Sequence, residues 1–292
     1  MIITVKAAAK INLMLDILQK LNNGYHSLWM IMQSVDLYDV VTVEQLAKGI
    51  ELTCSEPELP TDRKNIAYKA AEEFFKFCNI KGGAKIHIDK KIPFAAGMAG
   101  GSADAAAVIV ALDKIYSTAL SVKQFTKLGL KVGADVPFCI QGGTMLVQDI
   151  GGVLSPLPDL PDCYFVISKP EQSVSTAQAY GTFDECTKNS RCRHTDQSGM
   201  LRAIIDEDLS TVGKTLGNVF EQFVEVHERV PIKSVMRKYA CLGCCMSGSG
   251  PTVFGIFDKK KNADACAKEL KTFIKDTFVC KPINQGSEIK ES

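Results

Sequence analysis

Pro93-Phe94-Ala95-Ala96-Gly97-Met98-Ala99-Gly100-Gly101-Ser102-Ala103-Asp104-Ala105-Ala106-Ala107 is the stretch whose reading decides the fold. An apolar helical run, Val108-Ile109-Val110-Ala111-Leu112, follows it, and Ala84-Lys85-Ile86-His87-Ile88 before it alternates as a strand does. The order is strand, glycine-rich loop, helix. Glycine has no Cβ, so the loop's N–H groups can approach a ligand closely. The helix adds unpaired N–H groups and the positive end of its dipole. Such a place suits an anion, most often a phosphate. The alternative is a tight strand-to-helix connection whose small residues serve packing alone.

Upstream, residues 2–18 read as one or two strands. From Ile11 the apolar residues Ile11, Leu13, Leu15 and Ile17 face one way and Lys10, Asn12 and Asp16 the other. Lys10 is then either an edge charge in water or an active-site cation. Asn22-Asn23-Gly24 signals a turn, and Tyr25-His26 follow it as surface residues or substrate contacts. Residues 34–43 form a further strand with Val35, Leu37, Val41 and Val43 as core candidates. Asp62 is placed to cap a helix from Arg63, with Ile66, Ala67, Ala70, Ala71, Phe74, Phe75 and Cys78 on its apolar face. Asn65 falls in the first turn off that face, where a surface polar residue is expected. Ser102 is the expected N-cap of the helix after the loop, and Asp104 a helix-start acid.

Downstream, residues 123–131 are amphipathic and helical, and a strand is expected at 145–147. Between them lies Gly133-Ala134-Asp135-Val136-Pro137-Phe138. Asp135 is a turn or cap aspartate, or a carboxylate paired because its apolar setting demands it. Three prolines within 155–161 mark a boundary, giving domains 1–158 and 159–292. Beyond it come a strand at 164–167, a turn entering a helix over 173–183, and helices at 198–206, 208–227 and 231–240. A Met246-Ser247-Gly248-Ser249-Gly250-Pro251-Thr252 turn then leads to a strand at 253–257, a helix at 262–273 and a strand near Phe278. The polar tail from Gln285 is expected to fray.

Two resemblances to nucleotide motifs fail. Gly213-Lys214-Thr215 lacks the glycine a P-loop needs five positions earlier, where Asp208 stands. Gly248-Ser249-Gly250 runs into a β-branched strand rather than a helix.

A formal charge of +1, with 46% hydrophobic and 23% charged residues, describes a globular chain and excludes a dedicated nucleic-acid binder. No apolar run is long enough to span a bilayer. The chain enters a strand pattern at Ile2 without a signal-peptide pattern, so a cytoplasmic protein is expected. Eleven cysteines, an odd number in mostly apolar contexts, read as buried thiols. Cys241-Leu242-Gly243-Cys244-Cys245 lacks a second pair at zinc spacing, since Cys186, Cys192 and His194 match it poorly.

The N-terminal strand with Lys10, the Pro-x-x-x-Gly-x-x-Gly-Gly-Ser loop and the Ser-Gly-Ser-Gly turn together resemble the GHMP kinase superfamily. Within it, Ala9-Lys10-Ile11-Asn12-Leu13, Gly24-Tyr25-His26 and the 133–138 segment are similar to the members that act on 4-diphosphocytidyl-2-C-methyl-D-erythritol in non-mevalonate isoprenoid biosynthesis. The resemblance implies an α/β (α+β type) fold of two domains, one ribosomal-protein-S5-like and ATP-binding, one ferredoxin-like and substrate-binding, with the active site in the cleft. It implies ATP with Mg²⁺ as cofactors, phosphates on Pro93 and Ala95, Ala96, Gly97, Met98, Ala99, Gly100, Gly101, Ser102 and Ala103, and Asn65 near the adenine. Lys10 and Asp135 are implied at the transferred phosphoryl group, and Asn12, Tyr25, His26, Thr176 and Tyr180 at a small-molecule substrate. The Mg²⁺ ligands stay unassigned, Ser102 being the one candidate, and the oligomeric state stays open between monomer and homodimer. Two other readings stand beside this one: a GHMP kinase for homoserine, mevalonate or a sugar, and a non-catalytic ATP-binding relative. The Tyr25-His26 pair argues against the first of these, and the joint presence of Lys10 and Asp135 against the second.

Overall fold

The computed structural model describes residues 1–188 and 192–290. Its first sheet is built on one long antiparallel hairpin, β1 (Ile2–Lys20) and β2 (His26–Leu46). β1 is a single strand of 19 residues. The alternation read from Ile11 does not run unbroken to Ile17, because the pairing with β2 shifts register between Asn12 and Met14, and both faces are covered: Asn12 and Asp16 are as buried as Ile11 and Leu13. Register shifts between Ala8 and Ala9, Asn12 and Met14, and Ile17 and Gln19 bend the hairpin; such bulges re-aim neighbouring side chains.

β3 (Gly49–Cys54), α1 (Ile66–Phe77) and β4 (Gly83–Asp89) form a parallel βαβ unit, with β4 on the C-terminal half of β2. α1 starts later than expected. Asn65, not Asp62, is its N-cap, because residues 62–65 carry no apolar side chain to hold a helical turn on the core. Asp62 instead makes the turn before it, its Oδ1 accepting from Lys64 N at 2.9 Å.

α2 (Gly100–Tyr116) follows the glycine-rich loop and runs through the centre of the core against β1, β2 and α1. Ala105, Ala106 and Ala107 have no exposed surface, and their small side chains allow this close approach. The helix begins before Ser102, with Ala99 in the left-handed conformation (φ 57°) at its N-cap. α3 (Val122–Val132), α4 (Val136–Gln141), β5 (Thr144–Asp149) and β6 (Val153–Pro156) complete this part, with β5 on the N-terminal half of β2.

After the proline-rich segment come β7 (Tyr164–Lys169), α5 (Thr176–Thr187), α6 (Gln197–Ile205), α7 (Leu209–Thr215), β8 (Gly217–Asn218), α8 (Arg229–Lys238), β9 (Gly243–Met246), β10 (Val253–Phe257), α9 (Lys260–Leu270) and β11 (Asp276–Cys280). β12 (Pro282–Ile283) and β13 (Ser287–Ile289) close the described chain. A second sheet has the antiparallel order β11-β7-β10-β9. Its residues alternate: Val166 and Phe257 pack on Ile232, Met236 and Leu270 of α8 and α9, while Phe165, Ile167, Phe254 and Ile256 join the main core.

Two further expectations fail. The helix expected over 208–227 is broken into α7, β8 and a 3-10 turn, Val219–Gln222. Asn218 is extended because its side-chain amide is claimed elsewhere, donating to Met246 O (2.7 Å) and Gly248 O (2.8 Å). The tail is also not frayed through residue 290. β12 pairs with β2 and β13 with β1, and Gly286 O accepts from Ala8 N at 2.9 Å. Strand pairing uses backbone groups, which a polar sequence supplies as well as an apolar one.

Candidate active site

A cleft of about 990 Å³ opens between the glycine-rich loop, β1, the tip of the β1–β2 hairpin and α5. Its floor is the loop. Ala95, Gly97 and Ala99 all have positive φ (50°, 71° and 57°), and left-handed residues alternating with others make a concave row of N–H groups. Within α2 the first backbone bond is Ala103 N to Ala99 O, so the N–H groups of Gly100, Gly101 and Ser102 have no acceptor in the helix. Glycine is required at 97: a Cβ there would lie 2.3 Å from Ser247 O. Ser247 Oγ donates to Gly97 O (2.9 Å) and accepts from Asn12 N (3.2 Å), and Lys10 N donates to Met98 O (3.1 Å). The loop, β1 and the Ser-Gly-Ser-Gly turn are thus fastened together. Pro93, Ala95, Ala96 and residues 99–102 line the cleft. Met98 and Ala103 turn their side chains into the core, and Met98 serves through its carbonyl.

Lys10 and Asn12 project from the same side of β1, with Lys10 Nζ donating to Asn12 Oδ1 at 2.7 Å. Asp135 Oδ2 stands 3.6 Å from Lys10 Nζ. The expectation of a carboxylate in an apolar setting is corrected here. Asp135 keeps 31% of its side chain exposed, and the buried member of the pair is Lys10 at 5%. Asp135 occupies the N-cap position of α4 without making a side-chain cap bond, so its oxygens stay available to the cleft. A Cβ on Gly133 would meet Ser102 Oγ at 3.9 Å, which places the serine hydroxyl beside the Asp135 segment. Burial, reinforced by the Asp135 carboxylate, pushes the Tyr180 phenol above its ordinary range.

The hairpin turn presents Tyr25, which is 62% exposed, and His26, which is buried. His26 stacks on Tyr180 of α5 (centroids 4.7 Å apart, planes at 21°). Its Nε2 lies 2.7 Å from Asp184 Oδ1. Thr176, at the start of α5, shares a hydrogen bond with Ser249 Oγ at 3.0 Å. Asn65 is not a surface residue: it is buried in the cleft wall, where Oδ1 accepts from Ala67 N (2.9 Å) and Nδ2 donates to Pro60 O (2.8 Å).

Lys90, Asp39, Asp184 and Asn218 are residues that pattern reading missed. Asp104 is no simple helix-start acid. It is buried, and its Oδ2 accepts from Lys90 Nζ at 2.7 Å, while Lys90 also contacts Asp39 Oδ2. Asp39 Oδ1 accepts from Ile92 N at 2.8 Å, so the network grips the chain just before the loop. Burial would lower the Lys90 ammonium, but the two carboxylates outweigh it and hold it above its ordinary value. The signal in the sequence is Lys90 lying immediately before the loop with Asp104 immediately after it; nothing local points to Asp39.

Comparison with known proteins bears on this geometry. The family described as GHMP kinases N terminal domain matches residues 65–143, and that described as GHMP kinases C terminal matches residues 200–276. The fold is therefore that of a GHMP kinase. A 4-diphosphocytidyl-2-C-methyl-D-erythritol kinase of Clostridium perfringens is 42% identical over 97% of this chain and 99% of its own. One from Caldicellulosiruptor saccharolyticus is 44% identical over 94% of each chain. The chain belongs to the 4-diphosphocytidyl-2-C-methyl-D-erythritol kinase family. A crystal structure titled 4-(cytidine 5'-diphospho)-2C-methyl-D-erythritol kinase superposes with a TM-score of 0.76 at 27% identity, covering 96% of this chain and 98% of that one. A homoserine kinase from Cytophaga hutchinsonii superposes at 0.80 with 21% identity, covering 99% and 97%, and shows the shared fold alone.

Proposed function

We propose that this chain transfers the terminal phosphoryl group of ATP to the 2-hydroxyl of 4-diphosphocytidyl-2-C-methyl-D-erythritol. The observation that carries the reading is the Lys10–Asp135 pair, set in one cleft between a concave row of backbone N–H groups and the Tyr25–His26 turn. Phosphoryl transfer asks for positioning and charge stabilisation more than for covalent chemistry. The loop holds the ATP phosphates, with Asn65 in the wall on the adenine side. Asp135 accepts the proton of the substrate hydroxyl as general base. The hydroxyl oxygen bonds to the γ-phosphorus as the bond to the β–γ bridging oxygen breaks, and ADP leaves with that electron pair. Lys10, fixed by Asn12, orients the hydroxyl and offsets charge on the transferred group. Tyr25 offers a face to the cytosine, and His26, one face already covered by Tyr180, offers an edge. Thr176 and Tyr180 form the opposite wall.

Mg²⁺ in kinases is held largely by phosphate oxygens and water, needing one or two protein oxygens. The Ser102 hydroxyl and the unpartnered, buried Oδ1 of Asp104 are the oxygens beside the cradle that fit it, and its chemistry is to neutralise phosphate charge. In this reading residues 1–158 form the ATP-binding unit, and 159–292 the ferredoxin-like unit that closes the substrate side. A cytoplasmic location agrees with eleven free cysteines and with the absence of any helix, among the described residues, long and apolar enough to cross a membrane.

The test is a coupled ADP-release assay with the cytidyl substrate, homoserine and mevalonate. Turnover with the cytidyl substrate alone is expected. Turnover with one of the other alcohols alone would discard the cytosine pocket while keeping the phosphate loop.

A further inference from the structure

His26 is held by more than its stacking partner. Asp184, on α5, takes His26 Nε2 on one oxygen and Lys20, at the end of β1, on the other. These contacts join the hairpin tip to a helix 158 residues away in sequence. Phe183 adds an edge contact to the same ring at 6.0 Å. His26 Nδ1 has no hydrogen-bond partner among the described residues, and it is not sealed in the interior, because the side chain lines the cleft.

We infer that Asp184 is a positioning residue that fixes which edge of His26 the cleft presents, leaving Nδ1 as a hydrogen-bond acceptor for the exocyclic amine of the substrate's base. An ionised carboxylate has no hydrogen to donate, so the proton shared with His26 sits on Nε2. In the neutral form of the ring, that tautomer carries a bare lone pair on Nδ1. The carboxylate is kept ionised: partial burial would raise it, but the hydrogen bonds from Lys20 and His26 hold it below its ordinary range. On the pairing edge of cytosine the 4-amino group is the one N–H donor, the ring nitrogen and the 2-carbonyl being acceptors. An acceptor held at a fixed place therefore reads that amine. The clamp between Asp184 and Tyr180 also limits ring rotation, so the choice is made before substrate arrives.

This inference rests on the cytidyl-substrate reading, and its test separates the two. kcat and KM are measured with the cytidyl substrate and with its uridylyl analogue, in which a carbonyl replaces the amine, for the wild type, Asp184→Ala and Asp184→Asn. The wild type is expected to prefer the cytidyl substrate in kcat/KM by about tenfold or more. Asp184→Ala should erase most of that preference by raising the cytidyl KM, with kcat and the KM for ATP unchanged. Asp184→Asn keeps an oxygen that accepts from Nε2–H and should keep most of the preference. Equal losses on both substrates in Asp184→Ala would mark a merely structural role, because uncoupled effects add, and would overturn the inference. A second measurement needs no variant. ¹⁵N-histidine NMR of the wild type above pH 7.5 should show His26 protonated at Nε2 and bare at Nδ1; a proton on Nδ1 in its place would overturn it. Absence of wild-type turnover with either nucleotide substrate would sink the cytidyl reading itself, while the NMR result still reports the tautomer.

Discussion

In the proposed mechanism, with Asp135 as general base, Asp135 and Lys10 divide their work by exposure. The lysine is buried and anchored by Asn12, while the carboxylate faces the cleft with no cap bond to hold it. A general base so placed contributes about 10²–10⁴ in rate. Asp135→Asn should therefore lower kcat by about a thousandfold with little change in ATP binding, read by single-turnover kinetics and by nucleotide titration. Near-wild-type turnover would remove Asp135 from the role of base. Cys244 offers an independent check on local electrostatics. A hydrogen bond from the Cys241 thiol, aided by Lys233 and Arg237, brings it down to about 7 despite burial. The thiolate is the reactive form, so brief alkylation followed by mass spectrometry should label Cys244 before the buried Cys139 and Cys245, with a midpoint near pH 7. Labelling of Cys139 first would contradict this assignment.

The glycine-rich loop and the elements around it carry the next level of consequence. Gly97→Ala meets two obstacles, a φ of +71° and a backbone oxygen 2.3 Å from the new Cβ. The left-handed conformation alone costs about 1–2 kcal/mol. The clash adds to this, so a loss of at least ~2 kcal/mol in urea unfolding is expected, along with a raised KM for ATP. Unchanged stability would show that the loop can move away from Ser247. The Lys90 network makes a pH-dependent prediction. Burial raises the Asp104 carboxyl well above the carboxylate range, against the pull of Lys90 and with the help of Asp39. A raised carboxyl binds its proton more tightly folded than unfolded. Its contribution is complete below the unfolded pKa and is lost as pH rises through the folded one. Lys90→Met leaves two buried carboxylates without a cation, which costs about 3–5 kcal/mol. That deficit should be largest at pH 8 and shrink toward pH 5, where the carboxyls accept protons. A deficit independent of pH would mean that lost packing, not charge, is the cause.

At the scale of the whole molecule, the last described strands pair with the first hairpin. β12 and β13 return to β1 and β2 after the second sheet is complete. Deleting residues 282–292 removes these pairings, the Gly286 bond to Ala8 and the Ser287 bond to Cys139 O. A drop in Tm of several degrees is expected, at about 2–4 °C for each kcal/mol in a chain of this size. An unchanged Tm in differential scanning calorimetry would return the tail to the frayed state its composition suggests.

Local pattern made several parts of this protein legible. The strand, loop and helix around Gly97, the Lys10–Asn12 alternation, the hairpin turn before Tyr25 and the turn entering α5 all follow from contacts within a few residues, where propensity and spacing act directly. Those same motifs carried the family resemblance, and with it the fold and the activity. The three-dimensional structure alone decided what those residues meet. Ser247 closes on Gly97 from 150 residues away, His194, Thr195 and Gln197 surround the buried Asp16, and Asp184 reaches His26 across the cleft. It also turned Asn218 from a helical position into a strut for the 247–250 turn, and Asp104 from a simple helix-start acid into a buried, ion-paired one. The physical reason is the same throughout. A hydrogen bond or ion pair depends on distance in space, and buried polar groups must find such partners wherever the chain brings them, so their pairings exist only once the two sheets have packed.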